Sequence, residues 1–174
     1  LPLDRIDPTR IVPTEFDYEF RSQLLQGYVH DMGAAMQGGI GGHAGLFSNA
    51  NDLAKIMQLY LQKGYYGGKR YLSEDVVKEF TKCQFPDNNN RRGAGFDKPV
   101  LSNQKGGPAS KNASEYGFGH SGFTGTLVWA DPQSQIVYVF LSNRIHPDAS
   151  NKKLLNMDVR TEIMKVIYDS INDK

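Results

Sequence analysis

Three things are scarce in this 174-residue chain, and each scarcity narrows what it can be. A single cysteine, Cys83, excludes an internal disulfide and any cysteine-built zinc site, and it leaves the redox compartment open. Charge of one sign is also lacking: 20 Lys and Arg stand against 19 Asp and Glu, a formal net charge of +1. No basic field is therefore available for nucleic acid or for an anionic membrane surface. No apolar run approaches the ~18–20 residues that span a bilayer. Internal repeats and low-complexity tracts are absent, and 39% hydrophobic residues can furnish the core of one domain or of the larger part of one.

What is present is concentrated in Gly119-His120-Ser121-Gly122-Phe123-Thr124-Gly125, which runs into Thr126-Leu127-Val128-Trp129-Ala130. It reads as an active-site strand. Three glycines leave backbone N–H groups open to a ligand, beside an imidazole and a hydroxyl. Asp131-Pro132-Gln133-Ser134 is a turn, and Gln135 to Leu141, β-branched and aromatic, is the returning antiparallel strand. A second block contains Gly27-Tyr28-Val29-His30-Asp31, Gly38-Gly39-Ile40-Gly41-Gly42-His43-Ala44-Gly45-Leu46-Phe47-Ser48 and Asn51-Asp52-Leu53-Ala54.

The two blocks, in this order and closed by Leu141-Ser142-Asn143-Arg144-Ile145-His146-Pro147, resemble the serine β-lactamase and penicillin-binding-protein superfamily, its esterase- and peptidase-containing β-lactamase-related group above all. The resemblance covers roughly residue 17 to the C-terminus. His120-Ser121-Gly122 looks like that group's variant of the Lys-Thr/Ser-Gly motif on the strand lining the cleft. By resemblance, His120 and Ser121 are catalytic, Gly122 lets substrate lie along the strand, and the Phe123 N–H is an oxyanion donor. His120 would bond a second-motif hydroxyl or pass a proton to the leaving group, and Ser121 would bind a substrate carboxylate or orient His120. An imidazole in place of the ammonium favours ester or peptide hydrolysis, on D-amino-acid-containing or cell-wall-like material, over β-lactam hydrolysis.

The resemblance also implies a nucleophilic Ser three residues before a Lys at the head of a buried helix, and a later Tyr-x-Asn-like motif. Neither is recognised here. The expectation is a C-terminal fragment of one β-lactamase-like domain over 1–174, inert by itself: an extended lead-in (1–15), a mainly helical part (16–90), and antiparallel strands with a terminal helix (91–174). The fold class is α+β, helices followed by a three-stranded antiparallel sheet and a C-terminal helix. A sheet short of its upstream strands has an open edge, so the expected partner is the N-terminal part of the parent or a second copy. A periplasmic or otherwise extracytoplasmic bacterial setting is what the resemblance implies. A non-catalytic cell-wall-peptide-binding or interaction domain is the alternative, and some bacterial proteins resembling this segment join it to a family-3 glycoside hydrolase.

Local patterns fill in the rest. Ser48 is expected to cap a helix over 50–63 with Leu53, Ile56, Met57, Tyr60 and Leu61 inward, and Ser73 to cap one reaching about Lys82. Residues 95–97 are expected to start a strand, and 102–114 to be mobile. A helix over 157–171 should bury Val159, Ile163, Val166, Ile167 and Ile171. His30 and His43 match no zinc spacing and are expected to tie the 38–45 loop to the helix near Ala50. Asn143-Arg144 should anchor the last strand, and Trp129 and Tyr138 should pack on paired strands. Cys83, with Lys82 as its basic neighbour, is read as a small hydrophobe. The glycines of 38–42 fit neither a phosphate loop nor a Rossmann turn, so no cofactor is expected.

Overall fold

The computed structural model describes residues 6–100 and 106–172. The lead-in carries one 3₁₀ turn, Pro8–Arg10, followed by a short hairpin of β1 (Phe16–Asp17) and β2 (Gln23–Leu24). Helix α1 (Met32–Met36) was not anticipated; Asp31 caps it by accepting the Ala34 N–H at 2.7 Å. Helix α2 (Ala50–Leu61) is capped by Asn49 rather than Ser48. The Asn49 carboxamide reaches the Asp52 N–H at 3.0 Å, whereas the Ser48 hydroxyl turns back to the Asn49 carbonyl. A hairpin of β3 (Tyr65–Tyr66) and β4 (Lys69–Arg70) leads to α3 (Glu74–Thr81), where Ser73 caps as expected. A second 3₁₀ turn spans Pro86–Asn88.

The main sheet is built from β5 (Phe118–Ser121), β6 (Leu127–Asp131) and β7 (Ile136–Phe140), antiparallel in that order. The glycine-rich motif is thus a hairpin and not one continuous strand: the 122–126 turn divides it, and Gly125 adopts φ +101°, a conformation an L side chain resists. Residues 95–97 form no strand; Asp97 makes a single bridge to Gly119. After the sheet come α4 (Lys153–Asn156) and α5 (Val159–Asn172).

Two layers of side chains sandwich the sheet. Against one face α2 places Met57 and Leu61 on Phe118 and Ala130, with Tyr60, Phe96 and Phe118 in edge-to-face contacts. Against the other, α5 places Met164 and Tyr168 on Leu127, Trp129 and Tyr138. Trp129 and Tyr138 face each other across β6 and β7, as expected. Each fully buried large side chain contributes about 2–3 kcal/mol. The buried stripe of α5 differs from the expected one. Ile163, Val166 and Ile171 are exposed, because the helix is turned so that Met164 and Tyr168 meet the sheet. Ile56 of α2 is likewise outside.

Residues 101–105, part of the segment expected to be mobile, lie outside the described residues. The remainder is tied down: Ser110 is buried, Asn112 Nδ2 donates to Asp169 at 2.5 Å, and Ser114 binds Asp131. Asp131 is a buried keystone whose carboxylate accepts from the Ser114 N–H and hydroxyl, the Gln133 and Ser134 N–H groups and the Tyr168 hydroxyl. Burial pushes its pKa up, but these bonds together outweigh it and hold the carboxyl below its usual value. Burial, then the bond to Asp131, pushes the Tyr168 phenol up.

Candidate active site

Strand pleating decides where the motif side chains point. Phe118 and His120 face the α2 side of β5, Gly119 and Ser121 the other. Phe118 is buried and His120 exposed, so the strand passes from core to solvent within one pleat. His120 and Ser121 therefore do not share a face, and what Ser121 offers the imidazole is its carbonyl, 2.8 Å from Nδ1. The other ring nitrogen, Nε2, is 3.3 Å from Arg92 Nη1. A guanidinium can only donate, so Nε2 accepts, and the proton sits on Nδ1 and is donated to Ser121 O. That arrangement leaves Nε2 as the acceptor nitrogen of the ring.

Arg92 belongs to a cluster that the sequence did not announce. Asp97, buried, is engaged chiefly by Arg91: Nη2 donates to Oδ2 at 3.1 Å, and Nε lies 2.8 Å from Oδ1 without hydrogen-bond alignment. Arg92 Nη1 is 3.6 Å from the same carboxylate, so it is shared between Asp97 and His120. The Asp97 backbone exchanges hydrogen bonds with Gly119 at 2.7 and 3.0 Å, and Arg92 stands beside the imidazole. The Gly119 N–H is thus occupied. Its missing side chain answers a packing demand, since a Cβ there would stand 2.1 Å from Val128 O.

The turn after Ser121 is closed by Gly122 N–H to Thr126 O at 2.9 Å and Gly125 N–H to Gly122 O at 3.0 Å. A Cβ on Gly122 would lie 2.4 Å from Thr126 Oγ1, so closure of the turn is itself a reason for glycine here. Phe123 has an N–H with no acceptor among the described residues. Its ring, 61% exposed, meets the Arg144 guanidinium, 4.7 Å from the centroid, and the His30 imidazole, stacked at 5.3 Å. Arg144 also donates from its backbone to Thr124 O, and from Nη1 to Ala149 O and Asn151 O. Asn143 Nδ2 donates to Pro13 O. This pair therefore anchors the strand end, as expected, and binds the lead-in as well.

The histidines of the second block do not tie the glycine loop to α2. His30 Nε2 meets Glu15 Oε1 at 2.6 Å, and His43 Nε2 meets Asp31 Oδ1, at the cap of α1, at 3.0 Å. Among the described residues no three His, Cys, Asp or Glu side chains gather as a metal would need. Cys83, half-buried, donates from Sγ to Asn90 O at 3.2 Å. Its basic neighbours include Lys98 as well as Lys82. Burial brings Lys98 down to about 8, against the opposing charges of Cys83, Asp131 and Glu115, and its Nζ donates to Tyr116 O.

The bare Ser-x-x-Lys spacing occurs twice, at Ser102/Lys105 and Ser150/Lys153. The first lies outside the described residues. The second is exposed and leads only into the four-residue α4, which buries nothing. Neither heads a buried helix. The Glu15–His30–Phe123–Arg144 assembly was missed because its members are as much as 129 residues apart; the Arg91–Arg92–Asp97 cluster is local, with the adjacent Arg91-Arg92 pair as its cue, but its meeting with His120 spans 28 residues.

The beta-lactamase family profile matches residues 4–159, and the chain belongs to that family. It is 37% identical over 136 residues to proteins of Salmonella gallinarum and Salmonella paratyphi B, each named "Putative D-alanyl-D-alanine carboxypeptidase". The alignments cover 77% of this chain and 31% of each relative, so the chain spans about a third of the curated relatives it matches. A crystal structure of a beta-lactamase from Mycobacterium bovis superposes with a TM-score of 0.55 at 22% identity, covering 74% of this chain and 46% of the other. That likeness bears on the fold, and it fits the α+β arrangement of helices, antiparallel sheet and terminal helix. The chain is thus a member of the serine hydrolase superfamily of β-lactamases and penicillin-binding proteins.

Proposed function

We propose that this chain is the C-terminal part of a serine acyl-transfer hydrolase cleaving an amide or ester, with D-alanyl peptides as the substrate class, and that it lacks the working nucleophile and is inert alone. The observation that carries the reading is the free Phe123 N–H on a turn fixed from several sides, one residue beyond His120-Ser121-Gly122. Acyl transfer needs a hydroxyl that loses its proton as it attacks a carbonyl, and donors preorganised for the oxyanion that forms. Phe123 N–H is one donor and the nucleophile's own N–H the other. His120, with Nε2 as acceptor, can take a proton from a hydroxyl and return it to the leaving group. Arg92 must then yield Nε2 as substrate enters. The upstream part of the polypeptide supplies the Ser-x-x-Lys helix and covers the open β7 edge; in its absence a second copy does.

Intact-mass spectrometry after exposure to a penicillin and, separately, to a fluorophosphonate tests this. The chain alone should gain no adduct and hydrolyse neither nitrocefin nor p-nitrophenyl esters. A longer polypeptide with an upstream Ser-x-x-Lys helix should gain one adduct on that serine, and His120→Ala should slow its turnover by ~10²–10³. An adduct on this chain, or unchanged turnover in His120→Ala, overturns the reading.

A further inference from the structure

We infer that His30 is a positioning residue for the oxyanion turn, acting by stacking on Phe123. The inference rests on the proposed role of the Phe123 N–H. A phenyl ring 61% exposed is ordinarily free to rotate. Here the ring has two partners: the imidazole of His30 at 5.3 Å with planes 24° apart, and the guanidinium of Arg144 at 4.7 Å. Stacking of this kind favours one ring orientation over the alternatives.

The plane that presses on Phe123 is itself fixed at three points. Nε2 of His30 is bound to Glu15 Oε1 at 2.6 Å, and the other oxygen of Glu15 accepts the Ala149 N–H at 2.9 Å. The carbonyls of Val29 and His30 are held by Arg21 Nη1 and Nη2 at 2.6 and 2.8 Å, and Arg21 is anchored through Nε on Asp17 at 2.7 Å. The turn itself is held by the Arg144 N–H on Thr124 O and by Arg160 Nη1 on Thr126 O at 3.2 Å. The turn is therefore contacted by His30, by Arg144 after β7 and by Arg160 of α5. Rotation about the Phe123 φ and ψ angles, which would redirect its N–H, disturbs these ring contacts. Nothing in this arrangement places His30 on substrate. Its effect on chemistry passes through the direction of one N–H bond, and a donor's direction matters to the transition state more than to ground-state binding.

The test has a structural arm and a kinetic arm. In ¹H–¹⁵N spectra of this chain, His30→Ala should displace the Phe123 and Thr124 amides, while α5 and β7 resonances stay in place. His30→Phe, which keeps an aromatic plane but not the Glu15 bond, should restore most of the native shifts. Phe123→Leu, which keeps the N–H but removes the ring, should act like His30→Ala, and the two changes should not add. In the longer polypeptide, His30→Ala should lower kcat about ten-fold or more with KM within two-fold, and His30→Phe should recover it. Phe123 amides unmoved by His30→Ala, or additive effects of the two changes, overturn the inference. Displaced amides with unaltered acylation support the stack and overturn the oxyanion role of Phe123 instead. Should His30→Ala disturb α5 and β7 as well, the Phe123→Leu and His30→Phe spectra decide the matter.

Discussion

At the scale of single residues, the glycines of the motif serve different needs. A Cβ on Gly119 would meet Val128 O at 2.1 Å and Trp129 Cε3 at 2.6 Å, within the sheet and against its largest side chain. Neither can move without parting β5 from β6. A Cβ on Gly122 would meet a Thr126 hydroxyl, which can rotate away. Gly119→Ala is therefore expected to cost more than about 3 kcal/mol, and Gly122→Ala about 1–2 kcal/mol, the latter largely recovered in combination with Thr126→Ala. Urea unfolding of the four variants checks this, and equal costs for Gly119→Ala and Gly122→Ala would refute the distinction. The sequence showed that glycines cluster here, but not which contact each relieves, because the obstructing atoms lie on the facing strand.

At the scale of elements, Asp131 joins the end of β6, the segment before β5 and helix α5 through five hydrogen bonds to one carboxylate. Its pKa in the folded chain lies below the unfolded value, so its stabilisation is fully present above pH ~4 and is lost as pH falls through the folded value. Asp131→Asn is expected to cost about 2–4 kcal/mol at pH 7 and to flatten the acid limb of stability against pH, measured by thermal unfolding between pH 2 and 7. An unchanged acid limb would remove Asp131 from that role. The turn Asp131-Pro132-Gln133-Ser134 was readable from residue types alone. The Ser114 and Tyr168 partners, 17 and 37 residues away, were not. Helix α5 teaches the same lesson: its length was predicted closely, but its buried stripe was misjudged, since Ile163 and Val166 compete with Met164 and Tyr168 on apolarity alone.

At the scale of the whole molecule, the exposed surface is large for its mass. The chain exposes 11241 Å², where a compact monomer of 19.4 kDa exposes about 8,500 Å². Ile163 and Val166 on α5, and Phe16, Tyr18, Phe20, Leu24, Met36, Ile40 and Leu46 near the first hairpin and α1, stand open to solvent. Among the described residues, β7 pairs on one side only. Such a surface favours burial against another chain. We expect sedimentation velocity to show concentration-dependent association of this chain, weakened by Val166→Glu at a cost of no more than about 0.5 kcal/mol in unfolding free energy. A monomer at every concentration would count against the proposed partner surface.

The sequence by itself determined what depends on neighbours along the chain. The α+β order, the caps of α3, the returning strand β7 and the family-like His120-Ser121-Gly122 block all follow from residue type at short spacing. Tertiary structure alone decided where Arg92 meets His120, how Glu15 and His30 reach Phe123, and which side of α5 is buried. Those outcomes depend on packing between segments as much as 130 residues apart, where many apolar or charged side chains qualify as partners and only the folded geometry selects among them.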